Sequence, residues 1–464
     1  MACATFLSMP VEILRLIFKE LGDDWVSETS LAYTCRHLHN VFSEDIVNTH
    51  ALRFDHTCAL LDAVLKIPAV GHSAIKYISP EPGRTPASQT DNEPSTQILL
   101  DAIGPYCHSD EEEVEWIDNL IFSIDESKEA SLWRTLLLLL NFPNLTHLTL
   151  ELVPSIHGIE PFFSTILDRA LKRISPFDKK PLFPKLEYLK IRHMPRGRDE
   201  IPPPSIEYLI PFLKFPSLKY VSVSRLNQPV LRSDIYNKIL ENMERKFSSV
   251  IHLVIISCAT AGEIIPLLIA PTRLEKFCLF REWGTIVAYP NCLRRYLLEY
   301  KDSLRCLCLG NPSRVDIPPF GSLMDFKALV HCDMGFCDLF DTRGECDRDV
   351  ETPLTHLLPP SLEYLSISIG FYRAPSTALP TAIAGLFQLI ENKTACVPRL
   401  RRLRLVNAKQ KNHNLQPLNL ACKEAGIELI IDIDGRRAIN ASDGCFLCPE
   451  QRGTKLPGER IARW

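Results

Sequence analysis

The stretch FPKLEYLKI, Phe183 to Ile191, decides how the rest of the chain reads. Leu186, Leu189 and Ile191 fit an L-x-x-L-x-L template, whose last two apolar residues alternate with polar ones as along a half-buried strand. The template recurs as NLTHLTL (144–150), SLKYVSV (217–223), SVIHLVI (249–255), RLEKFCL (273–279), SLRCLCL (303–309), SLEYLSI (361–367) and RLRRLRL (399–405). ALVHCDM (328–334) is a weaker copy, and GIELIIDI (426–433) reads as the last strand. Three copies open on Phe-Pro, at Phe142-Pro143, Phe183-Pro184 and Phe215-Pro216. The first apolar residues of successive copies lie from 24 residues apart (Val250 to Leu274) to 41 apart (Leu145 to Leu186). Most steps are longer and less even than the roughly 20–29 residues of a regular leucine-rich repeat.

Between the copies lie stretches of helical character, SIEYLIPFLKF, SDIYNKILENMERKF, CLRRYLLEYKD and AIAGLFQLIENK. One strand–helix unit cannot bury its apolar face alone, so neighbours must stack and share a core. The sequence therefore predicts an α/β fold over residues 98–435, a curved solenoid with parallel strands on its concave face. Template positions between the apolar residues point outward. Tyr188, Tyr220, Tyr364 and Arg402 are the candidate substrate contacts, since Tyr and Arg are enriched at binding hot spots. His147 and His252 occupy equivalent outward positions and are further contact candidates.

The beginning of the chain has a different pattern. In MPVEILRLIFKEL, Met9 to Leu21, the apolar residues laid out as a helix cover an arc of roughly 220°. That is wider than the single stripe of a surface helix. Pro10 suits the first helical position, Glu12 favours the helix dipole and Gly22 ends the helix. After the polar GDDWVSETS, a second helix places Leu31, Cys35, Leu38 and Phe42 on one face. A third helical segment, SEDIVNTHALRFDHTCALLDAVLK, completes a module over residues 1–76 with little interior of its own.

The residues Met9-Pro10-x-Glu12-Ile13-Leu14-x-x-Ile17-Phe18-x-x-Leu21, then Leu31-x-x-x-Cys35-Arg36-x-Leu38, resemble an F-box over roughly residues 5–45. Met9 stands where Leu is more usual before the proline, and Leu38 where many members carry Trp. The resemblance implies docking on the Skp-type adaptor of a cullin–RING (SCF) ubiquitin ligase through Pro10, Ile13, Leu14, Ile17, Phe18, Leu21, Leu31, Cys35 and Leu38. An F-box followed by irregular leucine-rich repeats is similar to a family of substrate receptors abundant in fungi. The implied function is substrate recognition for the ligase without bond chemistry. The alternative is an interaction scaffold that binds the adaptor and directs no substrate to degradation.

The remaining residues narrow the field. The 464-residue chain is 46% hydrophobic and 23% charged with a formal net charge of −4, which gives no general attraction to nucleic acid or anionic membrane. No apolar run reaches the roughly 20 residues needed to span a bilayer. The N-terminus lacks the pattern of a secretory signal, and the 16 scattered cysteines suit reduced thiols, so a cytoplasmic or nuclear protein is expected. Residues 77–97, rich in Pro, Ser and Thr, read as a disordered loop, EVEWIDNLIFSI as a strand, and residues 436–464 as a C-terminal tail. Cys445-x-x-Cys448 has zinc or redox spacing but lacks further ligands nearby. The acidic run Asp110–Glu113 reads as a solvated turn. In the cluster Arg399, Arg401, Arg402 and Arg404, the last two should face solvent or an acidic partner. No phosphate loop, dinucleotide fingerprint or nucleophile elbow is present, and no cofactor or resident metal is expected.

Overall fold

A computed structural model of the chain describes residues 10, 12, 14, 77–78, 103–109, 111–112, 114–116, 140, 145–152, 160–193, 209–224, 244–256, 261–280, 290–310, 319–339, 353–368, 378–406 and 415–432. The chain divides into two compact units. The first comprises Met1–Ile201, Glu207–Leu218 and Lys455–Trp464, the second Pro202–Ile206 and Lys219–Thr454. The division falls within the expected repeat array and cuts the copy at 217–223 between Leu218 and Lys219.

In the first unit β1 (Tyr77–Ile78), β2 (His147–Leu152) and β3 (Tyr188–His193) pair in parallel, with Tyr77 opposite His147 and His147 opposite Tyr188. Tyr77 and Ile78 were expected to open a disordered loop. They are instead a strand, because a β-branched and an aromatic residue there can add to the edge of β2. Helix α1 (Glu160–Leu171) lies between β2 and β3 in the chain and packs on α2 (Ile210–Leu213). Two of the Phe-Pro openings, Phe183 and Phe215, join Phe212 in a buried aromatic cluster. The Phe183 ring lies 6.3 Å from Phe212 and 5.6 Å from Phe215, centroid to centroid.

The second unit holds β4 (Tyr220–Ser224), β5 (His252–Ile256), β6 (Lys276–Phe280), β7 (Cys306–Gly310), β8 (His331–Gly335), β9 (Tyr364–Ser368), β10 (Arg402–Val406) and β11 (Glu428–Asp432). Each pairs in parallel with the next, in chain order and without slippage. Its helices are α3 (Ala261–Ile269), α4 (Pro290–Leu297), α5 (Phe336–Leu339), α6 (Ala378–Glu391), α7 (Lys393–Cys396) and α8 (Gln416–Glu424). Neighbouring helices pack pairwise, α3 on α4 and α6 on α8. This is the α/β arrangement of parallel strands that the template predicted.

Each template residue has a fixed task. The first apolar residue ends a tight turn: the Leu329, Leu362 and Leu400 N–H groups donate to the carbonyls of Phe326, Pro359 and Val397 at 3.0–3.1 Å. Leu274, Leu304, Leu329, Leu362 and Leu400 are all fully buried. One carbonyl then receives two N–H groups from the next copy. Glu275 and Lys276 donate to Ile251 O at 2.9 and 3.1 Å, Val330 and His331 to Arg305 O at 2.8 and 2.9 Å, Glu363 and Tyr364 to Val330 O at 2.9 and 3.0 Å. This repeated clasp fixes the register of these strand starts. The two following apolar residues, such as Leu307 and Leu309, then enter the core together with the helices' buried side chains. Burial of each such leucine contributes about 1.5–3 kcal/mol, so three per copy set the fold.

Two further expectations change. The start of EVEWIDNLIFSI is helical at residues 114–116, not extended. Ser109 explains this: its hydroxyl accepts from the Glu112 N–H at 3.2 Å, while the Glu112 carboxylate accepts from the His108 N–H at 2.8 Å. Ser-x-x-Glu is a helix-starting box that outweighs the strand-like apolar pattern after it. Among the described residues, no helix is long and apolar enough to cross a membrane.

Candidate functional site

Strand residues that alternate with the core leucines lie on the opposite sheet face. Register aligns the first of them into one row: Tyr220, His252, Lys276, Cys306, His331, Tyr364, Arg402 and Glu428. The next row runs Ser222, Val254, Cys278, Cys308, Asp333, Ser366, Arg404 and Ile430. Three of the four candidate contact residues, Tyr220, Tyr364 and Arg402, therefore share a row in the second unit. Tyr188 occupies the equivalent position in the first unit, opposite His147.

Each tyrosine pairs with a histidine on an adjacent strand. Tyr188 stacks on His147 with centroids 5.3 Å apart, Tyr220 meets His252 edge-on at 6.2 Å, and Tyr364 lies nearly parallel to His331 at 4.4 Å. All are half-buried. The Arg402 guanidinium sits 5.3 Å above the Tyr364 ring and its Nε donates to Glu428 Oε2 at 2.6 Å. Four consecutive strands thus carry one contact chain of imidazole, phenol, guanidinium and carboxylate. Burial holds the His147 imidazole below its usual pKa, against the opposing pull of the Glu187 carboxylate.

Arg402 and Arg404 were expected to face solvent or an acidic partner; Arg402 keeps part of its exposure, Arg404 is largely sheltered, and the acidic groups that both meet belong to this chain. Arg404 Nη2 meets Asp432 Oδ2 at 2.7 Å, with side chains only 15% and 13% exposed. Parallel pairing places the acidic residues of ELIID directly beside RLRLV, so the charges are matched inside the sheet. The acidic run is likewise no solvated turn at Glu112, whose carboxylate bonds Arg169, 2.5 Å away. Arg169 also donates to Tyr106 O at 2.9 Å and lies 5.3 Å above the Trp116 ring. Desolvation pushes the Glu112 carboxyl up, but its bonds from Arg169 and His108 together bring it below the usual range.

Not every residue on this face meets water. Val254, Cys278, Cys306 and Cys308 form a buried cluster, with Tyr220, Ile256 and Phe280 packed against it. Lys276 and Ser366 are buried on the same face. The Cys278, Cys306 and Cys308 Sγ atoms all lie within 4.8 Å of one another, a group able to hold a metal ion. Cys306 and Cys308, read from the sequence as scattered thiols, lie together with Cys278. Their convergence was missed because Cys278 lies in a different copy. Aligning RLEKFCL with SLRCLCL places Cys278 and Cys308 at one template position.

Of the adaptor-docking candidates, Pro10 is exposed and Leu14 fully buried, its N–H donating to Pro10 O at 3.1 Å as in a helical turn. Ile13, Ile17, Phe18, Leu21, Leu31, Cys35 and Leu38 lie outside the described residues, as do Cys445 and Cys448. The chain matches no protein-family model and no curated protein sequence.

Proposed function

We propose that the chain is the substrate-recognition subunit of an SCF-type ubiquitin ligase. In this reading residues 5–45 dock a Skp-type adaptor as an F-box, with the cullin scaffold beyond it. The repeats form a curved solenoid whose strands line the concave side and present a protein substrate surface. The observation that carries the reading is the unslipped register of β4 to β11, which delivers one side chain per copy to a common row. The half-buried Tyr220, His252, His331, Tyr364 and Arg402 of that row are suited to contact with an extended stretch of another protein. The F-box resemblance of Met9–Leu38 supplies the other half of the argument.

The protein then contributes proximity. It holds a substrate lysine near the charged ubiquitin carrier, which raises effective concentration without any bond chemistry of its own. Cytoplasm or nucleus is the compartment where that machinery works. The docking surface is drawn from Pro10, Ile13, Leu14, Ile17, Phe18, Leu21, Leu31, Cys35 and Leu38.

The test is a pull-down of adaptor with wild type and with an Ile17→Asp, Phe18→Asp double variant. Loss of adaptor by the variant, with the melting of the repeat region unchanged, is the expected result. Equal capture by both overturns the docking surface. Reconstitution with adaptor, cullin and ubiquitin carrier then separates the two functional readings: ubiquitination of bound protein marks a receptor, and its absence a scaffold.

A further inference from the structure

We infer that Cys278, Cys306 and Cys308 form a three-thiolate site for a soft, three-coordinate metal ion of the Cu(I) class. The site follows from register alone. Cys278 on β6 stands directly opposite Cys308 on β7, and Cys306 precedes Cys308 by two residues, so all three project from one face. They are 0%, 3% and 1% exposed, and their sulfurs lie within 4.8 Å of one another, with Cys306 and Cys308 Sγ 3.7 Å apart. A metal bound to three sulfurs at about 2.3 Å in one plane holds them about 4.0 Å apart. The cluster matches that spacing to within a few tenths of an ångström for the pair whose distance is known.

The choice of ion rests on donor type, donor number and charge. Thiolates are soft donors that select Cu(I), zinc or iron–sulfur clusters. A structural zinc site takes four ligands, whereas among the described residues the group contains three donors, all sulfur. Three-coordinate Cu(I) is the fit. On binding, three S–H groups release their protons, three Cu–S bonds form and no electron is transferred, so the copper must arrive already reduced. The centre carries two net negative charges. Lys276 stands opposite Cys306 in register, precedes Cys278 by two residues on the same face and is 3% exposed.

The experiment uses the full-length, fully reduced protein under nitrogen, titrated with Cu(I) against a chromophoric Cu(I) chelator. A Cys445→Ser, Cys448→Ser background removes the C-terminal pair from the count. The expected result is one equivalent of Cu(I) held per chain, lost at least tenfold in affinity in Cys278→Ser and in Cys308→Ser. The same equivalent should persist in Cys422→Ser, a buried thiol on α8. X-ray absorption on the copper-loaded background should count three sulfur neighbours, a reading that does not depend on how the serine variants fold. Two or four sulfur neighbours, no retained equivalent, or Zn(II) held as tightly as Cu(I), would each overturn the assignment.

Discussion

Gly310 faces Phe280 across the β6–β7 pair, and a Cβ built on Gly310 would lie 2.5 Å from Phe280 Cδ1 and 3.5 Å from Cγ. Cδ1 is fixed close to the backbone, so Gly310→Ala must move either the ring or the strand. Overpacking of this kind costs about 1–3 kcal/mol. Against that, alanine in a strand is favoured over glycine by about 0.5–1 kcal/mol through the unfolded chain. The net expectation is a loss of about 0–2.5 kcal/mol. Leucine keeps a carbon at the Cγ position, where 3.5 Å is ordinary contact, and can turn its methyl groups away. In a Phe280→Leu background the same Gly310→Ala change should therefore be neutral or stabilising by up to about 1 kcal/mol. The sign reversal is measured as a double-mutant cycle by denaturant unfolding, with hydrogen exchange of β6 and β7 to localise it. Equal destabilisation in both backgrounds would refute the steric account.

Two ion pairs on the same strand pair should differ in strength. Arg402–Glu428 is open to solvent, its side chains 34% and 57% exposed, and should couple by no more than about 1 kcal/mol and fade in high salt. The sheltered Arg404–Asp432 pair should couple by about 1–3 kcal/mol and resist salt, as read by cycles with Arg→Met and Asp→Asn substitutions. Tyr106 gives a pH test: burial raises its phenol from 10.0 to about 12, and the neutral hydroxyl donates to Leu140 O at 3.3 Å. A group with a raised folded pKa contributes stability that is intact below the unfolded value and lost as pH climbs toward the folded one. Unfolding free energy should therefore fall by about 1.4 kcal/mol per pH unit through that window from this group. The Tyr106→Phe variant should show a shallower fall; an identical slope in variant and wild type would contradict the burial.

The repeat was legible in the sequence because each template residue has one physical task wherever it occurs. The first apolar residue closes a turn, the next two face the core, and none of these tasks depends on which residue stands in the neighbouring copy. Polar-face contacts are different in kind. Tyr364 meets His331 and Arg402 only because β8, β9 and β10 pair in register, and no spacing within one copy contains that fact. Arg402 and Arg404 showed the limit clearly: their outward direction followed from alternation, but their partners, Glu428 and Asp432, lay in another copy. The early helix at residues 114–116 was hidden for a related reason. A local side-chain cap from Ser109 decided the backbone against the strand-like apolar residues downstream.

These contacts also bear on how the polar row can bind. Arg402 is engaged by Glu428 and Tyr364, so an acidic partner must compete with an existing ion pair rather than meet a bare charge. Such competition weakens a single contact, because part of the gain replaces a bond already made. It also disfavours partners that match only one position, since His331, Tyr364, Arg402 and Glu428 form a linked series of side chains on successive strands. Recognition at this face would then depend on several positions together, which is the behaviour an extended protein ligand lying across successive strands can exploit and a small anion cannot.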